Sequence, residues 1–586
     1  MKKNVIFLTI DSVCVDYINS KYGKLATPFL SSLNHTLKCN NLYSQGPFTE
    51  AGTKALLTGC NVLDDSGYLN RINDAKSNIY KVFKQNGYQT HVLMYPDFSF
   101  NKKLRCNIDH LYPTSHFNFL NLWDFKIGYY SKLYKNDDLS EKQMKDLVSF
   151  IDLMFDGWLF FLSHKNEEDY ELLKDKAGPQ YYLDNYALLK NEYDKYITNK
   201  DAYIKELLIK EKFHPLFNIE TINIDSDINF ELLCDFVLNK NKAFLKQCEK
   251  KHLKANVGKL SLREKIGGFV SWIFNGFKFP NNKFGNFIKS IVIKKDFYCV
   301  REVFDKKIVA SCRKQFNLIE KIINENVDDN PLLITAHVEE PHYFNIFYSF
   351  DCNNIEYLCE EFDIQKRFVP LLDKDFDGSL LYFMSLRYID YCIEKLFSFL
   401  QSKSLLDKYQ IVITADHGSS YNFLPLRDTI VNNFHKENYH IPLWLFDSDI
   451  EDFICDSFYT SKDILYTLYC HNNMLFDSLN GKNMFDDKTK SDNNYALVEY
   501  MGPGCPDMRV RELWMAIRNS EYLISLKCPL TRKVTVEDVF EVYDLQNDKE
   551  EEHNLVGTIQ FINIQPLINV LFQRHDLLRE RWMKNE

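Results

Sequence analysis

Thr49 stands in Gly46-Pro47-Phe48-Thr49-Glu50-Ala51-Gly52-Thr53-Lys54-Ala55-Leu56-Leu57-Thr58-Gly59, a polar turn that runs into a short helical stretch closed by glycine. At a helix start, free backbone N–H groups favour an anion and help a hydroxyl ionise. Threonine is also a common N-cap, so the stretch taken alone has a purely structural reading. Two distant groups change that: Asp11 in Ile10-Asp11-Ser12, and Asp416 with His417 in Thr414-Ala415-Asp416-His417-Gly418. Two carboxylates and an imidazole suit one divalent ion, Mn²⁺, Zn²⁺ or Mg²⁺, with Ca²⁺ a poorer match once imidazole is a ligand. Such an ion beside Thr49 would lower the hydroxyl's pKa and neutralise charge on a transferring phosphoryl group. His342, His435 and His440 are then candidates to bind ester oxygens or protonate a leaving alcohol. Singly, each histidine reads first as a surface or core residue. The combination carries the argument.

Strands must bring these residues together. Residues 4–10 form an apolar run that reads as a buried strand, with Asp11 at its carboxyl end, the edge where open α/β sheets bind ligands. Thr27-Pro28-Phe29 reads as a helix start with proline in the first turn. Residues 79–86 are helical in pattern, Gly87 closes them, and 89–94 form a second strand. This β-α-β alternation predicts a mainly parallel sheet. It resumes with a strand near 331–338, a long helix over 380–401, a strand at 410–415 ending in Asp416, and an apolar strand at 441–446 led in by His440. The last ninety residues alternate like short antiparallel strands and end in a helix from about 562. Between 115 and 330 the alternation is lost, and lysine- and aromatic-rich segments predict a mostly helical insertion, too long for a plain loop. The expected division is therefore 1–114 and 331–490 for the two parts of the catalytic domain, 115–330 for the insertion and 491–586 for a C-terminal subdomain.

At 586 residues the chain exceeds one compact core. It carries 15 cysteines, with no CxxC pair, which reads as reduced thiols in the cytoplasm. No run has the length and purity of a membrane-spanning helix, and the apolar start meets Asp11 too soon for a secretory signal. Net charge is −10, yet between Lys240 and Lys314 there are 19 Lys/Arg against 5 Asp/Glu, a local +14 that leaves −24 for the remainder. That asymmetry predicts an anionic partner for this segment. Within it, Ile266, Phe269, Val270, Ile273, Phe274 and Phe277 share one helical face flanked by basic residues. Such a face suits either the insertion's own core or a peripheral contact of residues 259–295 with an anionic membrane surface. Nothing points to nucleic acid.

The chain resembles the sulfatase-like branch of the alkaline phosphatase superfamily. The resemblance rests on residues 4–12, Thr27-Pro28-Phe29-Leu30, Thr49 through Gly59, Glu340-Pro341-His342, Tyr388-Ile389-Asp390, Ile413 through Gly418, His440-Ile441-Pro442-Leu443, and Val542 through Asp548 with Asn554-Leu555. It covers roughly 1–110 and 330–560. It implies an alkaline-phosphatase-like α/β fold with a mainly parallel central sheet flanked by helices, a large insertion and a small C-terminal antiparallel sheet. It also implies that Asp11, Asp416 and His417 hold a metal, that Thr49 is a nucleophile touching it, and that His342 and His435 or His440 contact substrate.

The departures narrow the chemistry. A sulfatase of this type carries Cys or Ser in a C/S-x-P-x-R motif for conversion to formylglycine, whereas this chain reads Thr49-Glu50-Ala51-Gly52-Thr53. Oxidation of a threonine's secondary alcohol gives a ketone, so that route is closed. Threonine here is similar to the lipoteichoic-acid-synthase-like and phosphoethanolamine-transferase-like members, which pass through phosphothreonine. Ser12 replaces the second residue of the sulfatase Asp-Asp pair, Asp16 is a weak substitute, and a single metal is expected. Lys54 either replaces the absent Arg or is a solvated helix lysine. The resulting expectation is a metal-dependent phosphotransferase or phosphodiesterase acting on a phospho-substituted glycan or lipid-linked precursor, cytoplasmic or peripheral at the inner membrane surface. A phosphomonoesterase or mutase, and an inactive binding homologue, are the alternatives.

Overall fold

The computed structural model describes residues 2–68, 75–94, 102–113, 186–210, 312–326, 330–338, 380–419, 434–476, 479–486, 494–501, 512–559 and 561–584, with scattered positions at 72, between 130 and 155, and at 341. Val, Ile, Leu and Phe in unbroken runs make strands that need cover on both faces, which is the habit of a parallel sheet. β1 (Asn4–Ile10) pairs in parallel with β5 (Leu332–Val338) on one side and β6 (Tyr409–Ala415) on the other. All seven residues of both β5 and β6 are buried.

With β2 (Thr36–Tyr43), β3 (Gln89–Met94), β4 (His110–Pro113), β7 (Leu443–Asp447) and β8 (Phe453–Thr460), these form an eight-stranded sheet of order β4-β3-β5-β1-β6-β7-β2-β8. β7 alone runs against its neighbours, pairing antiparallel with both β6 and β2. A second sheet of order β12-β11-β10-β9, from β9 (Ala496–Met501), β10 (Leu513–Arg518), β11 (Tyr522–Cys528) and β12 (Val539–Asp544), is antiparallel throughout. Ile568, Leu571 and Leu578 of the closing Gln565–Lys584 helix bury themselves in the core of that sheet.

The expected strands at 4–10, 89–94, 331–338 and 410–415 form, as do the helices Pro28–Ser32, Ile79–Gln85 and Leu380–Ser402. Strands β2, β4 and β8 were not expected. β2 carries Lys38, Asn40 and Asn41 among its apolar residues, and this mixed pattern belongs to the last strands of the sheet, where one face is only partly covered. Between 115 and 330, helices occupy Tyr186–Thr198, Lys200–Lys210 and Cys312–Glu325 among the described residues. The expected 259–295 surface helix and most of the basic segment lie outside the described residues. Among the described residues no helix is long and apolar enough to cross a membrane.

Two buried carboxylates lock the layers. Asp390, on the Leu380–Ser402 helix, accepts from the N–H groups of Phe29 and Leu30 at 3.0 and 2.9 Å, capping the Pro28–Ser32 helix from its neighbour. Asp447, ending β7, accepts from Gln410 of β6 at 2.7 Å and pairs with His471 at 2.9 Å and with Lys3 ahead of β1. Burial alone would raise the Asp447 pKa, but His471, Lys3 and the N–H of Asp449 hold it well below the usual carboxylate range. A depressed folded-state pKa contributes stability above the unfolded value of 3.8, and that stability is lost as pH falls through the folded value. Asp447→Asn is therefore expected to cost about 1–3 kcal/mol at neutral pH and to flatten the loss of stability in acid. Urea midpoints from pH 6 to pH 3 measure both.

Candidate active site

Three adjacent strands deliver the site to one sheet edge. Asp11 follows β1, and its N–H donates to the Val338 carbonyl at the end of β5 at 2.8 Å. His337 is the register partner of Thr9, and Asp416 follows Ala415, the register partner of Ile10. Ser12 adopts φ 63°, a left-handed turn that sends its N–H to Asp416 Oδ1 at 3.2 Å and its hydroxyl to Asp11 Oδ1 at 2.8 Å. The turn ties the two carboxylates to each other.

The nucleophile candidate arrives on the Thr49–Thr58 helix, closed by Gly59 at φ 67°. Phe48 is its N-cap and makes no side-chain capping bond, so Thr49 is the first helical residue and its hydroxyl is not used as a cap. That hydroxyl donates to Asp11 Oδ2 at 3.2 Å and lies 3.4 Å from His417 Nε2. His417 Nε2 is 3.3 Å from Asp11 Oδ1 and 3.7 Å from Asp416 Oδ2, and His337 Nε2 is 3.3 Å from Asp11 Oδ2. Asp11, His337, Asp416 and His417 are all buried.

Burial and the nearby Asp11 raise the Asp416 pKa. For His417, burial would depress the imidazole, but Asp416 and Asp11 push it up to about 9. Both shifts have one physical origin, negative charge crowded into a dry site. Asp416 Oδ2 is buried with no hydrogen-bond partner among the described residues. Asp11, His337 and Asp416 offer ligand atoms that all lie within 4.8 Å of one another. The His417 Nδ1 sits 2.6 Å from the Gly418 carbonyl, a contact that places the proton on Nδ1 and leaves Nε2 facing Thr49 and Asp11. An unsatisfied carboxylate oxygen, excess negative charge and an oriented imidazole fit a bound divalent cation.

The structure thus gathers Asp11, Thr49, Asp416 and His417, and adds His337, which sequence reasoning missed. The signal was present: His337 is the one ionisable residue in the apolar run Leu332-Leu333-Ile334-Thr335-Ala336-His337-Val338. His342 lies outside the described residues. His435 pairs with Glu551 at 3.0 Å, and His440 Nε2 bonds the Asn40 carbonyl at 2.8 Å. Asp16 does not replace the missing acid of the metal set; it pairs with Lys436 at 3.5 Å and His440 at 3.6 Å. Lys54 is not a solvated lysine. It is fully buried, and its amine donates to the Gly67 and Asp64 carbonyls at 2.9 and 3.4 Å, fixing the loop behind the Thr49–Thr58 helix.

A mainly parallel sheet thus carries a hydroxyl, two carboxylates and two imidazoles at its carboxyl edge. The chain belongs to the sulfatase family, whose profile matches residues 3–207 and 265–474. Among solved structures, yidJ of Bacteroides fragilis, a candidate sulfatase, is 11% identical, covering 99% of this chain and 96% of that one at a TM-score of 0.50, a likeness of fold alone. An alkaline phosphatase superfamily protein from Vibrio parahaemolyticus is 11% identical over 100% of this chain and 88% of its own, with a TM-score of 0.49. The phosphonate monoester hydrolase of Agrobacterium radiobacter is 11% identical over 99% and 96%, with a TM-score of 0.48. No curated protein matches the chain.

Gly52 sets how closely the Thr49–Thr58 helix approaches the Asp416 loop. A Cβ there would stand 2.2 Å from the Asp416 carbonyl oxygen and 2.8 Å from its carbon, backbone atoms that Ser44 also holds through its hydroxyl. Gly52→Ala is expected to force the helix off the loop, costing about 1–3 kcal/mol and separating Thr49 from Asp416. The checks are the thermal midpoint and metal stoichiometry, both of which should fall.

Proposed function

We propose that the protein is a metal-dependent phosphotransferase or phosphodiesterase that works through a covalent phosphothreonine at Thr49. The observation that carries this reading is a threonine hydroxyl, free of capping duty, at a helix start and within 3.4 Å of both Asp11 and His417. Thr49 Oγ1 bonds to phosphorus as the bond from phosphorus to the leaving alcohol's oxygen breaks. That oxygen keeps the electron pair and takes a proton from the histidine candidates His342, His435 or His440. The Thr49 proton departs towards Asp11 Oδ2, its present hydrogen-bond partner. A second alcohol, or water, then takes the phosphoryl group from Thr49. Asp11, Asp416 and His417 would hold the divalent ion, which supplies charge neutralisation at the transferring group. The helix N-terminus adds oriented N–H dipoles to the same end.

The substrate class in this reading is an anionic phosphoester, a phospho-substituted glycan or lipid-linked precursor. The basic segment from Lys240 to Lys314 supports it by composition. Intact mass of wild type and Thr49→Ala, each incubated with Mn²⁺ and a panel of phosphodiester donors, tests the mechanism. A donor-dependent adduct on wild type alone is expected, with turnover reduced by at least about three orders of magnitude in the variant. Ester hydrolysis that survives Thr49→Ala without any adduct would sink the nucleophile assignment.

A further inference from the structure

Ser12 removes one oxygen ligand from the edge where the sulfatase motif has a second carboxylate, and the structure places an imidazole beside the gap. We propose that His337 is a metal ligand that takes over from the missing acid, and that with His417 it makes the centre prefer zinc- and manganese-class ions over calcium. The inference rests on reading this edge as a metal-assisted phosphoryl site.

The distances carry it. Ligand atoms arranged tetrahedrally about an ion at about 2.1 Å lie about 3.4 Å from one another. Here His337 Nε2 to Asp11 Oδ2 is 3.3 Å, His417 Nε2 to Asp11 Oδ1 is 3.3 Å, His417 Nε2 to Asp416 Oδ2 is 3.7 Å, and Thr49 Oγ1 to Asp11 Oδ2 is 3.2 Å. His337 is fully buried, on the strand next to β1, and meets the carboxylate oxygen that Thr49 also touches. Ser12 has a different task. Its N–H and hydroxyl each bond one oxygen of Asp416 and Asp11, orienting the carboxylates from behind as an outer partner does.

The exchange of a carboxylate for an imidazole changes which ion fits. Calcium takes six to eight oxygens and gains little from imidazole nitrogen. Zinc and manganese accept mixed imidazole and carboxylate sets, zinc the more strongly by the general order of divalent affinities. The expected ranking is Zn²⁺, then Mn²⁺, then Ca²⁺.

The test uses the full chain, stripped with chelator and reloaded with each ion separately, without any phosphoester. Equilibrium dialysis with elemental analysis gives affinity, and Asp416→Asn corrects for zinc held by cysteine thiols. His337→Ala is expected to weaken zinc by at least about tenfold to a hundredfold while leaving calcium nearly unchanged. Zinc affinity that is unaltered in a folded variant, or a wild type that prefers calcium, overturns the proposal. A pulsed electron paramagnetic resonance spectrum of Mn²⁺-loaded wild type serves even where the variant fails to fold. Coupling to two imidazole nitrogens is expected, and coupling to one alone overturns the role of His337. A missing phosphothreonine adduct leaves this outcome standing, and loss of this outcome leaves the adduct standing, so the two readings fail separately.

Discussion

Two carboxylates, Asp11 and Asp416, are buried side by side with little water to separate their charges. In a medium of low effective dielectric that repulsion is large unless positive charge sits between them. Every polar group gathered around them answers this constraint: the Ser12 N–H and hydroxyl, the Thr49 hydroxyl, and the imidazoles of His337 and His417. Their joint effect is a cluster whose charge would suit a divalent cation, with one Asp416 oxygen left without a hydrogen-bond partner among the described residues.

Holding this arrangement falls to the backbone. Parallel pairing fixes β1, β5 and β6 in register, so Asp11 and Asp416 leave their strands at the same level, with His337 level with Thr9 two residues back. A one-residue slip would turn each of these side chains to the other face, and full burial of β5 and β6 makes such a slip costly. The Thr49–Thr58 helix is set from the other side. Gly52 lets it touch the Asp416 backbone, Lys54 ties it to the following loop, and Ser44 binds the Asp416 carbonyl. Geometry at Thr49 is therefore a property of the sheet and loops together.

Much of the fold was legible because parallel strands in a covered sheet write themselves as unbroken apolar runs. Residues 4–10 and 410–415 do so, and each is followed by an aspartate of the candidate site. β2 and β8 were illegible for the complementary reason, since polar Lys38, Asn40 and Asn41 are tolerated where the sheet ends. Asp11, Thr49, Asp416 and His417, which the structure brings together, stood out in the sequence because each sits next to a turn or glycine signal. His337 was hidden inside a strand, where alternation rather than a motif decides which side chain reaches the edge. Lys54 misled for a related reason: a helix lysine normally reaches water, and only the packing of the 61–67 loop over the helix buries it.

The C-terminal sheet extends the same logic to the rear of the Thr49–Thr58 helix. Arg574 of the closing helix bonds Glu499 of β9 through Nε and Nη2 at 2.8 and 2.6 Å and reaches Asp64 through Nη1 at 3.0 Å. Glu499 in turn accepts from the Leu63 N–H at 3.1 Å, and the Tyr68 hydroxyl accepts from the Met501 N–H at 3.2 Å. Breaking one partner of such a buried charged pair is far more costly than forming it is favourable, so the network acts as a latch of defined geometry more than as a source of net stability. Its target is the loop that carries the carbonyls for Lys54. The antiparallel sheet and its closing helix thereby brace the loop behind the Thr49–Thr58 helix, although they contribute no described residue to the Asp11, His337 and Asp416 cluster.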